Sequence, residues 1–288
     1  MLPLFHFKSH WRERQVASIA TDAVAVVRLQ QGLGVRLLEK SHAAISLNPQ
    51  PKPWTGALAE LEKLLAQSGA GLPISLVLSN HLVRYKIIPA LPAFSSTEKV
   101  MAVATHCFRE SYGDSVDGWS VRVNPLPHGD TLLVSAVDTE LVSGIQMLCK
   151  QYGCKLSSIQ PYLMTGFNSI RRQLDPSASC VVQVEAGRLN IALIRDGSWQ
   201  SIAACTINED WSKDLAALIT REMLLAGWQN VQPKVYFLAL PSFKDEQIKQ
   251  LFKQNNPAWQ MLHTDHKAIA GYVPSQDQLY AVSLSAVF

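Results

Sequence analysis

Side chains with metal-binding or nucleophilic chemistry are few in this sequence and lie far apart. His263, Asp265 and His266 place two imidazoles and a carboxylate within four residues. Zinc takes roughly three or four such ligands, and no second cluster that would complete a site is visible elsewhere. His106 and Cys107 are neighbours on a predicted helix, so their side chains point in different directions and cannot form a dyad. We therefore interpret residues 263–266 as a solvated loop and expect no metal site.

The cysteines indicate a reducing compartment and no disulfide framework. The chain has five of them, which is an odd count, and no two form a C-x-x-C pair. We expect buried free thiols, the usual state of cysteine in such a compartment. These residues are Cys107, Cys149, Cys154, Cys180 and Cys205.

Length, charge and hydropathy exclude several classes of protein. A chain of 288 residues forms one large domain or two modest ones, and an apolar fraction of 48% supports a sizeable core. A net charge of +3 is too weak to indicate a nucleic-acid-binding surface. The sequence contains no run of about 18 apolar residues, so it predicts no membrane span. Residues 1–7 are apolar and precede basic residues, the reverse of a signal peptide. We interpret them as a frayed leader, with contact to a membrane surface or a partner as the alternative.

The first half of the chain predicts an α/β lobe. β-branched residues alternate along residues 15–28, and Gly32 and Gly34 then form a turn into a returning strand at 35–39. These glycines lack the third glycine and the following helix of a dinucleotide-binding loop. Ser95 and Glu98 form a capping box for a helix that ends at Gly113. The other predicted elements are helices at 55–66, 138–153 and 161–174, and strands at 73–79, 84–88, 119–123, 131–137 and 155–160.

The second half repeats this order after a loop of turn-forming residues at 175–179. Three strands follow in succession, joined by Ala186-Gly187 and by Asp196-Gly197, and Asp-Gly between apolar strands is typical of a hairpin. Asn208 caps a long helix with acidic residues in its first turn. Each half therefore predicts a meander followed by alternating helix and strand, which is a two-lobed α/β protein. The predicted elements are strands at 180–185, 189–195, 200–207, 234–239 and 259–263, and helices at 244–253 and 276–288, the last with Leu279 on its apolar face.

Several segments resemble the actin-like ATPase superfamily. Within it, the chain is most similar to PilM-type proteins of type IV pilus assembly and to the cytoplasmic part of the L protein of type II secretion. The resemblance covers nearly the whole chain and is carried by P-I-S-L-V-L-S, L-V-R-Y-K-I-I-P, D-T-L-L-V-S-A-V-D, K-L-S-S-I-Q-P-Y and the final A-V-S-L-S-A-V-F.

The resemblance implies a duplicated RNase H-like fold with two lobes. The first lobe would span residues 1–174 and carry a small inserted subdomain at about 84–137. The second lobe would span residues 175–288, with its last helix packed back toward the first lobe.

Active members of that superfamily hold phosphate and Mg²⁺ with a D-x-G loop in each lobe, because the metal needs a carboxylate and glycine lets phosphate approach. The first loop aligns here to Ser18-Ile19-Ala20 or to Thr21-Asp22-Ala23. The second aligns to Gln183-Val184-Glu185 or to Glu185-Ala186-Gly187. A glycine pair near the adenosine is replaced by Leu240-Pro241-Ser242, where proline removes a backbone donor.

These departures predict a chain without ATPase activity and without a cofactor. If ATP and Mg²⁺ bind at all, the resemblance places them against Glu185, Gly187 and Asp22. The alternative hypothesis is an active actin-like ATPase or sugar-kinase-like enzyme, in which Glu185 holds Mg²⁺ and Asp22 orients the phosphates or water. A third hypothesis is an unrelated α/β protein with a similar order of elements.

The resemblance also implies a partner. In that family a groove between the inserted subdomain and the first lobe takes the extended N-terminal cytoplasmic peptide of a PilN-like bitopic inner-membrane protein. Arg84, Tyr85 and Trp119 fall in the inserted subdomain and are the candidate partner-binding residues, and residues 82–88 form an edge strand suited to peptide pairing. We therefore predict a non-catalytic scaffold that is cytoplasmic and peripheral to the bacterial inner membrane.

Overall fold

The chain folds into two lobes, each built on a large mixed β-sheet, and a small third sheet is inserted into the first lobe. The computed structural model describes residues 12–45, 52–68, 71–91, 96–125, 130–208, 210–239, 259–262, 269–273 and 275–287. The strands are β1 (Arg12–Ile19), β2 (Ala23–Gln31), β3 (Val35–Ala44), β4 (Pro73–Leu78), β5 (Val83–Pro89), β6 (Trp119–Pro125), β7 (Thr131–Asp138), β8 (Lys155–Pro161), β9 (Ala178–Glu185), β10 (Arg188–Arg195), β11 (Ser198–Thr206), β12 (Lys234–Ala239), β13 (Trp259–Met261) and β14 (Ile269–Ala270). The helices are α1 (Thr55–Gln67), α2 (Thr97–Tyr112), α3 (Thr139–Gln151), α4 (Tyr162–Ile170), α5 (Trp211–Leu225) and α6 (Ala281–Leu284).

The first lobe contains a sheet of order β14-β3-β2-β1-β4-β8, in which β1, β4 and β8 run parallel. β4 carries apolar residues on both faces because other elements of the protein pack against each face. Leu76 and Leu78 pack with Leu61 of α1, whereas Val77 packs with Leu284 on the opposite face. A strand buried on both sides reads as a continuous apolar run, as the sequence predicted.

The prediction of one strand at residues 15–28 is wrong. Two antiparallel strands, β1 and β2, occupy this region, and Thr21 and Asp22 lie in the turn between them. The turn is closed by the Ala20 N–H, which donates to the Ala23 carbonyl at 3.0 Å. Alternation of apolar residues continues through both strands, so periodicity alone does not show the reversal, although threonine and aspartate are turn-forming residues.

The second lobe contains a sheet of order β11-β10-β9-β12-β13. The two predicted hairpins are present, with Gly187, Asp196 and Gly197 in the left-handed region that such tight turns require. On β9, Val182 and Val184 pack under α5, whereas Val181 faces the first lobe's core. The prediction that Asn208 caps α5 is wrong, because the helix begins at Trp211 and its N-cap residue is Asp210. The Asn208 side chain accepts from the Asp210 N–H at 3.0 Å in the turn that precedes the helix.

The inserted subdomain is a three-stranded antiparallel sheet, β5-β7-β6, covered on one face by α2. Its core includes Phe108 of α2 together with Val121 and Val134 of the sheet. The cap of α2 is Ser96, whose hydroxyl accepts from the Lys99 N–H at 3.3 Å, and Ser95 lies outside the described residues. The opposite face of the sheet, including Tyr85 and Leu133, packs on the core of the first lobe.

The terminal segment, residues 275–287, returns to the first lobe. It is not the continuous helix predicted at 276–288, because two 3₁₀ turns flank the short helix α6. Leu284 and Tyr280 pack against Val16 and Val27 of the first sheet. Leu279, expected on the apolar face, is 55% exposed. Buried Asp277 accepts from the Lys40 ammonium and from the Val273 N–H, which anchors the segment to β3.

All five cysteines are free. Cys149, Cys154 and Cys180 are buried as expected, whereas Cys107 and Cys205 are only half-buried. Burial raises the pKa of the Cys149 thiol to about 11 and that of the Cys180 thiol to about 12, so both stay protonated and unreactive at neutral pH. No helix in the part of the chain that the structure describes is long and apolar enough to cross a membrane. The predicted helix at 244–253, the 240–242 loop and the 263–266 cluster lie outside the described residues.

Candidate functional site

A cleft of about 460 Å³ separates the two lobes. Its walls are the β1–β2 turn, the residues that follow β4, the β9–β10 turn and the terminal segment. The β1–β2 turn and the β9–β10 turn, which correspond to the two predicted phosphate loops, therefore face one cavity. Among the residues that line it are Asp22, Ser79, His81, Glu185, Ala186 and Leu279.

The strand registers show which residues occupy corresponding positions in the two lobes. The β1–β2 hairpin closes at Ala20 and Ala23, and the β9–β10 hairpin closes at Glu185 and Arg188, each around a two-residue turn. Ser18 and Gln183 precede Ala20 and Glu185 by two positions, so they correspond. Asp22 lies beyond the end of β1, in the turn. The register therefore favours the first of the two alignments in each lobe, Ser18-Ile19-Ala20 and Gln183-Val184-Glu185.

Neither corresponding position carries a carboxylate, and both side chains already have partners. The Ser18 hydroxyl is buried and accepts from the Ser283 hydroxyl at 2.8 Å. The Gln183 amide is fully buried, accepts from the Asn80 side chain at 2.9 Å and donates to the Tyr162 carbonyl at 3.1 Å. Both side chains are hydrogen bonded within the protein, and neither offers an anionic ligand to a metal ion.

Glu185 is the acid that the sequence analysis proposed for Mg²⁺, and its side chain is hydrogen bonded within the protein. Its carboxylate is 5% exposed and accepts from the Asn80 backbone N–H at 2.9 Å. Burial raises the pKa of Glu185, and the hydrogen bonds from Asn80 and Ser79 only partly offset that effect. Gly187 follows in the turn with φ +72°, which only glycine adopts without strain. Asp22 is exposed at the cleft edge, so the two carboxylates differ in environment.

The described residues give the cleft an acidic and apolar lining. Within the described residues its lining includes Asp22 and Glu185 but neither lysine nor arginine. Alanines and the side chains of Leu279 and Val282 make much of the remaining wall apolar. Proteins bind phosphate with lysine, arginine, backbone N–H groups or a metal ion, and a carboxylate without a cation repels it. Across the described ranges, no group of three or more His, Cys, Asp or Glu side chains is placed to hold a metal ion.

Asn80 forms the junction at the base of the cleft. Its side chain donates to Gln183 of the second lobe and accepts from the Tyr85 hydroxyl at 2.7 Å and from the Leu163 N–H at 3.0 Å. Next to it, the His81 ring nitrogen Nε2 lies 2.8 Å from the Ala186 carbonyl. One fully buried asparagine thus joins the first sheet, the inserted subdomain, α4 and the second lobe.

The structure separates the three predicted partner-binding residues. Tyr85 is buried, and burial raises its pKa well above the ordinary value, so its hydroxyl stays protonated and donates to Asn80. Arg84 and Trp119 lie on the other face of the inserted sheet, where they line a groove of about 140 Å³ that we call the tryptophan groove. Trp54, His81 and Leu82 also line this groove.

A second groove, of about 330 Å³, lies between the inserted subdomain and the first lobe. One wall is β6, where Ser120 and Arg122 point into it, and another is β8, with Ser157 and Ile159. β6 ends the small sheet and β8 ends the first sheet, and neither outer edge pairs with another strand in the described part of the chain. We call it the two-edge groove.

The strand predicted as a peptide-binding edge, residues 82–88, is placed differently. β5 does end the small sheet, but β11 of the second lobe packs against it. The adjacent Thr131 hydroxyl donates to the Trp199 carbonyl of β11 at 3.0 Å. The open edge of the inserted subdomain is therefore β6.

Two residues near these sites were not predicted from the sequence. Asn80 follows a buried strand directly, and a polar residue at the end of a parallel strand is the only local signal for it. Arg188 begins β10 directly after Gly187, and its Nε atom is buried without a hydrogen-bond partner.

No family model matches the sequence. No curated protein matches it either. Solved structures do resemble it. The chain is similar to a structure of a PilM-PilN type IV pilus biogenesis complex, with 14% identity, a TM-score of 0.63, and coverage of 95% of this chain and 96% of the other.

Two further structures are similar over nearly their whole length. A Bacteroides thetaiotaomicron protein with an actin-like ATPase fold and unknown function has 12% identity and a TM-score of 0.59, with 98% of this chain and 99% of that one covered. The cytoplasmic domain of EpsL, an inner-membrane component of the type II secretion system of Vibrio cholerae, has 10% identity and a TM-score of 0.54, with 96% and 94% covered. The chain therefore has the actin-like ATPase fold, as predicted.

Proposed function

We propose that this protein is an actin-fold scaffold that turns over no nucleotide and binds an extended segment of a membrane-anchored partner. The partner class is that of type IV pilus or type II secretion-like assembly, and its prototype is a PilN-like bitopic protein. Two similar structures support this class, since one is a PilM-PilN complex and another is the cytoplasmic part of a secretion component. The partner's anchor would hold the chain at the cytoplasmic face of the bacterial inner membrane.

The observation that carries the proposal is the state of Ser18 and Gln183. They occupy corresponding strand positions in the two lobes, both are neutral, and both side chains are hydrogen bonded within the protein. A carboxylate at either position would have to be buried among these partners. Together with a cleft lining that has no lysine or arginine in the described residues, this argues for loss of nucleotide chemistry.

The two-edge groove supports the binding role. A peptide that lies along β6 would pair its backbone with an unpaired strand edge and place alternate side chains toward Arg122 and Ser157. Trp119 begins the same strand and would lie at one end of such a peptide. The inserted subdomain thus offers main-chain hydrogen bonds and side-chain pockets together.

Titration calorimetry with Mg·ATP and a phosphate-release assay test the first half of the proposal. We expect neither heat nor phosphate release. The alternative, an enzyme that uses Glu185 and Asp22, has one observation in its favour, because both carboxylates line the cleft. Phosphate release that is lost on Glu185→Ala would establish that alternative and overturn ours.

Fluorescence anisotropy tests the second half, with labelled peptides that cover the cytoplasmic tails of bitopic pilus and secretion proteins from the same genome. We expect one tail to bind and Ser157→Trp to abolish its binding, because the indole would fill the groove from an exposed position. Ala204→Trp, at an exposed position of β11 in the other lobe, is the matched control. Binding by no tail, or binding that Ser157→Trp leaves intact, would contradict the proposed groove.

A further inference from the structure

The inserted sheet places an arginine and a serine side by side on the wall of the two-edge groove. Arg122 of β6 lies directly opposite Ser135 of β7 in the antiparallel register, so both side chains project from the same face of the sheet. Ser120 precedes Arg122 by two positions on β6 and shares that face. All three residues line the groove. The strand register and the cavity therefore agree that these polar side chains face one space.

These side chains have no partner within the part of the chain that the structure describes. Ser135 is only 7% exposed, yet its hydroxyl forms no hydrogen bond with a described group. The Arg122 guanidinium is exposed and forms neither a hydrogen bond nor an ion pair there, whereas Arg28 and Arg109 both pair with acids. A nearly buried hydroxyl without a partner costs free energy. The donors that face the groove are therefore suited to an acceptor from another molecule.

The groove carries positive charge without a compensating acid. Within the described residues its lining includes Arg122 but neither aspartate nor glutamate. The elements that border the groove carry two acids, Asp138 at the end of β7 and Glu140 of α3, and both pair with Lys52 at 3.1 Å. Asp138 also lines the tryptophan groove, on the other face of the sheet. The two-edge groove is therefore complementary in charge to an acidic side chain.

The opposite wall of the groove is the edge of β8, which favours an extended occupant. The register of β8 against β4 jumps by one residue, so Ser157 is the extra residue of a β-bulge. Residues 156–159 all line the groove, although successive side chains of a strand point to opposite faces. The edge of the strand rather than one face therefore borders the groove, and an edge offers backbone N–H and C=O groups to an extended chain.

We propose that Arg122, Ser120 and Ser135 bind the carboxylate of an aspartate or glutamate in the partner's extended segment. This inference rests on the proposed function and adds the chemistry that the groove selects. The guanidinium would donate paired N–H groups to the carboxylate, and the two hydroxyls would donate further hydrogen bonds. Side chains two positions before and after the acid point the same way along an extended chain. Apolar side chains at those positions would meet Leu156 and Ile159, which line the same groove.

The test uses the full chain and two fluorescein-labelled peptides, Thr-Leu-Thr-Glu-Thr-Leu-Thr and the same sequence with a central Gln. We expect the Glu peptide to bind roughly tenfold tighter by fluorescence anisotropy. Arg122→Gln should abolish this preference by weakening only the Glu peptide, and Ser135→Ala should reduce it by roughly threefold. Arg36→Gln is the matched control, because Arg36 is exposed on β3 toward the opposite edge of the first sheet, and it should keep the full preference.

A charge reversal separates a loss of charge complementarity from a loss of folding. Arg122→Glu should reverse the order of affinities, so that a third peptide with a central Lys binds more tightly than the Glu peptide. Equal binding of the Glu and Gln peptides, no binding of either, or a preference that survives Arg122→Gln would overturn the proposal.

Failure of this inference and failure of the proposed function give different results. If a natural tail binds and Ser157→Trp abolishes its binding, while Arg122→Gln changes neither that tail nor the Glu peptide, the groove is correct and the carboxylate site is wrong. If the preference for the Glu peptide depends on Arg122 but no pilus or secretion tail binds, the carboxylate site is correct and the proposed partner class is wrong.

Discussion

The Asn80 side chain donates a hydrogen bond of 2.9 Å to the Gln183 side chain, and the two residues belong to different lobes. Both amides are fully buried. Gln183 occupies the strand position that corresponds to Ser18 of the first lobe, and in the second lobe the side chain at this position joins the two lobes.

Asn80→Ala should lower the free energy of unfolding by about 3 kcal/mol in urea titrations. The substitution removes one bond to Gln183 and two accepted by the Asn80 carbonyl oxygen, and it leaves all three partners buried without a replacement. Asn124→Ala, at an exposed position of β6, is the control and should change stability by less than about 0.5 kcal/mol. Equal effects of the two substitutions would show that the junction contributes little.

Tyr85→Phe should destabilise the protein by about 1 kcal/mol, because the Asn80 side-chain oxygen loses one of the two hydrogen bonds that it accepts. Combined with Asn80→Ala, the second substitution should cost almost nothing more, which gives a coupling energy of about 1 kcal/mol in a double-mutant cycle. With Asn124→Ala the effects should add. Additivity of Tyr85→Phe with Asn80→Ala would mean that the hydroxyl stabilises the fold through another contact.

Gly166→Ala should destabilise the protein although alanine favours a helix by about 1 kcal/mol. The new methyl group would collide with the Gln183 side-chain nitrogen, which donates to the Tyr162 carbonyl. We expect a net loss of about 1–3 kcal/mol, measured by urea unfolding and largely reversed in a Gln183→Ala background. Gly144→Ala in α3 is the matched control, because its methyl group would meet only the Leu58 side chain, which can rotate.

Glu185→Gln should stabilise the protein at pH 8 by about 1 kcal/mol and have little effect at pH 4. Burial raises the pKa of Glu185, so the native state binds more protons than the unfolded state. Its contribution to stability is therefore present below the ordinary glutamate pKa and is lost as pH rises through the raised value. Urea titrations at several pH values check this, with Glu110→Gln on the exposed face of α2 as the control. A stability difference that shrinks as pH rises would contradict the assignment.

Local sequence patterns predicted most helices and strands because their signals are local. α1, α2 and α3 each carry an apolar stripe at helical spacing, and β12 is bounded as predicted. The β1–β2 reversal was missed because apolar alternation continues through the turn. The final helix was predicted too long, since its apolar residues pack in a segment that 3₁₀ turns interrupt.

The candidate site was less predictable because its contacts join distant parts of the chain. The sequence indicated that the loops with Asp22 and Glu185 matter, and both line one cleft. The choice between the alternative alignments needed the strand registers. The Asn80 junction spans more than a hundred residues, from position 80 to 183, and no local pattern reports such a contact. The sequence places Tyr85 beside an arginine and so suggests an exposed aromatic residue. Its burial becomes evident only from the three-dimensional packing.

The return of the terminal segment to the first lobe has a consequence for the order of folding. β14 pairs with β3, and Tyr280 and Leu284 complete the core under β1 and β2. On the ribosome, these residues emerge only after the strands of the second lobe. The first lobe therefore cannot complete its native core until the strands of the second lobe have been synthesised. Contacts of such long sequence separation slow folding, because the loss of chain entropy precedes the gain from the contacts.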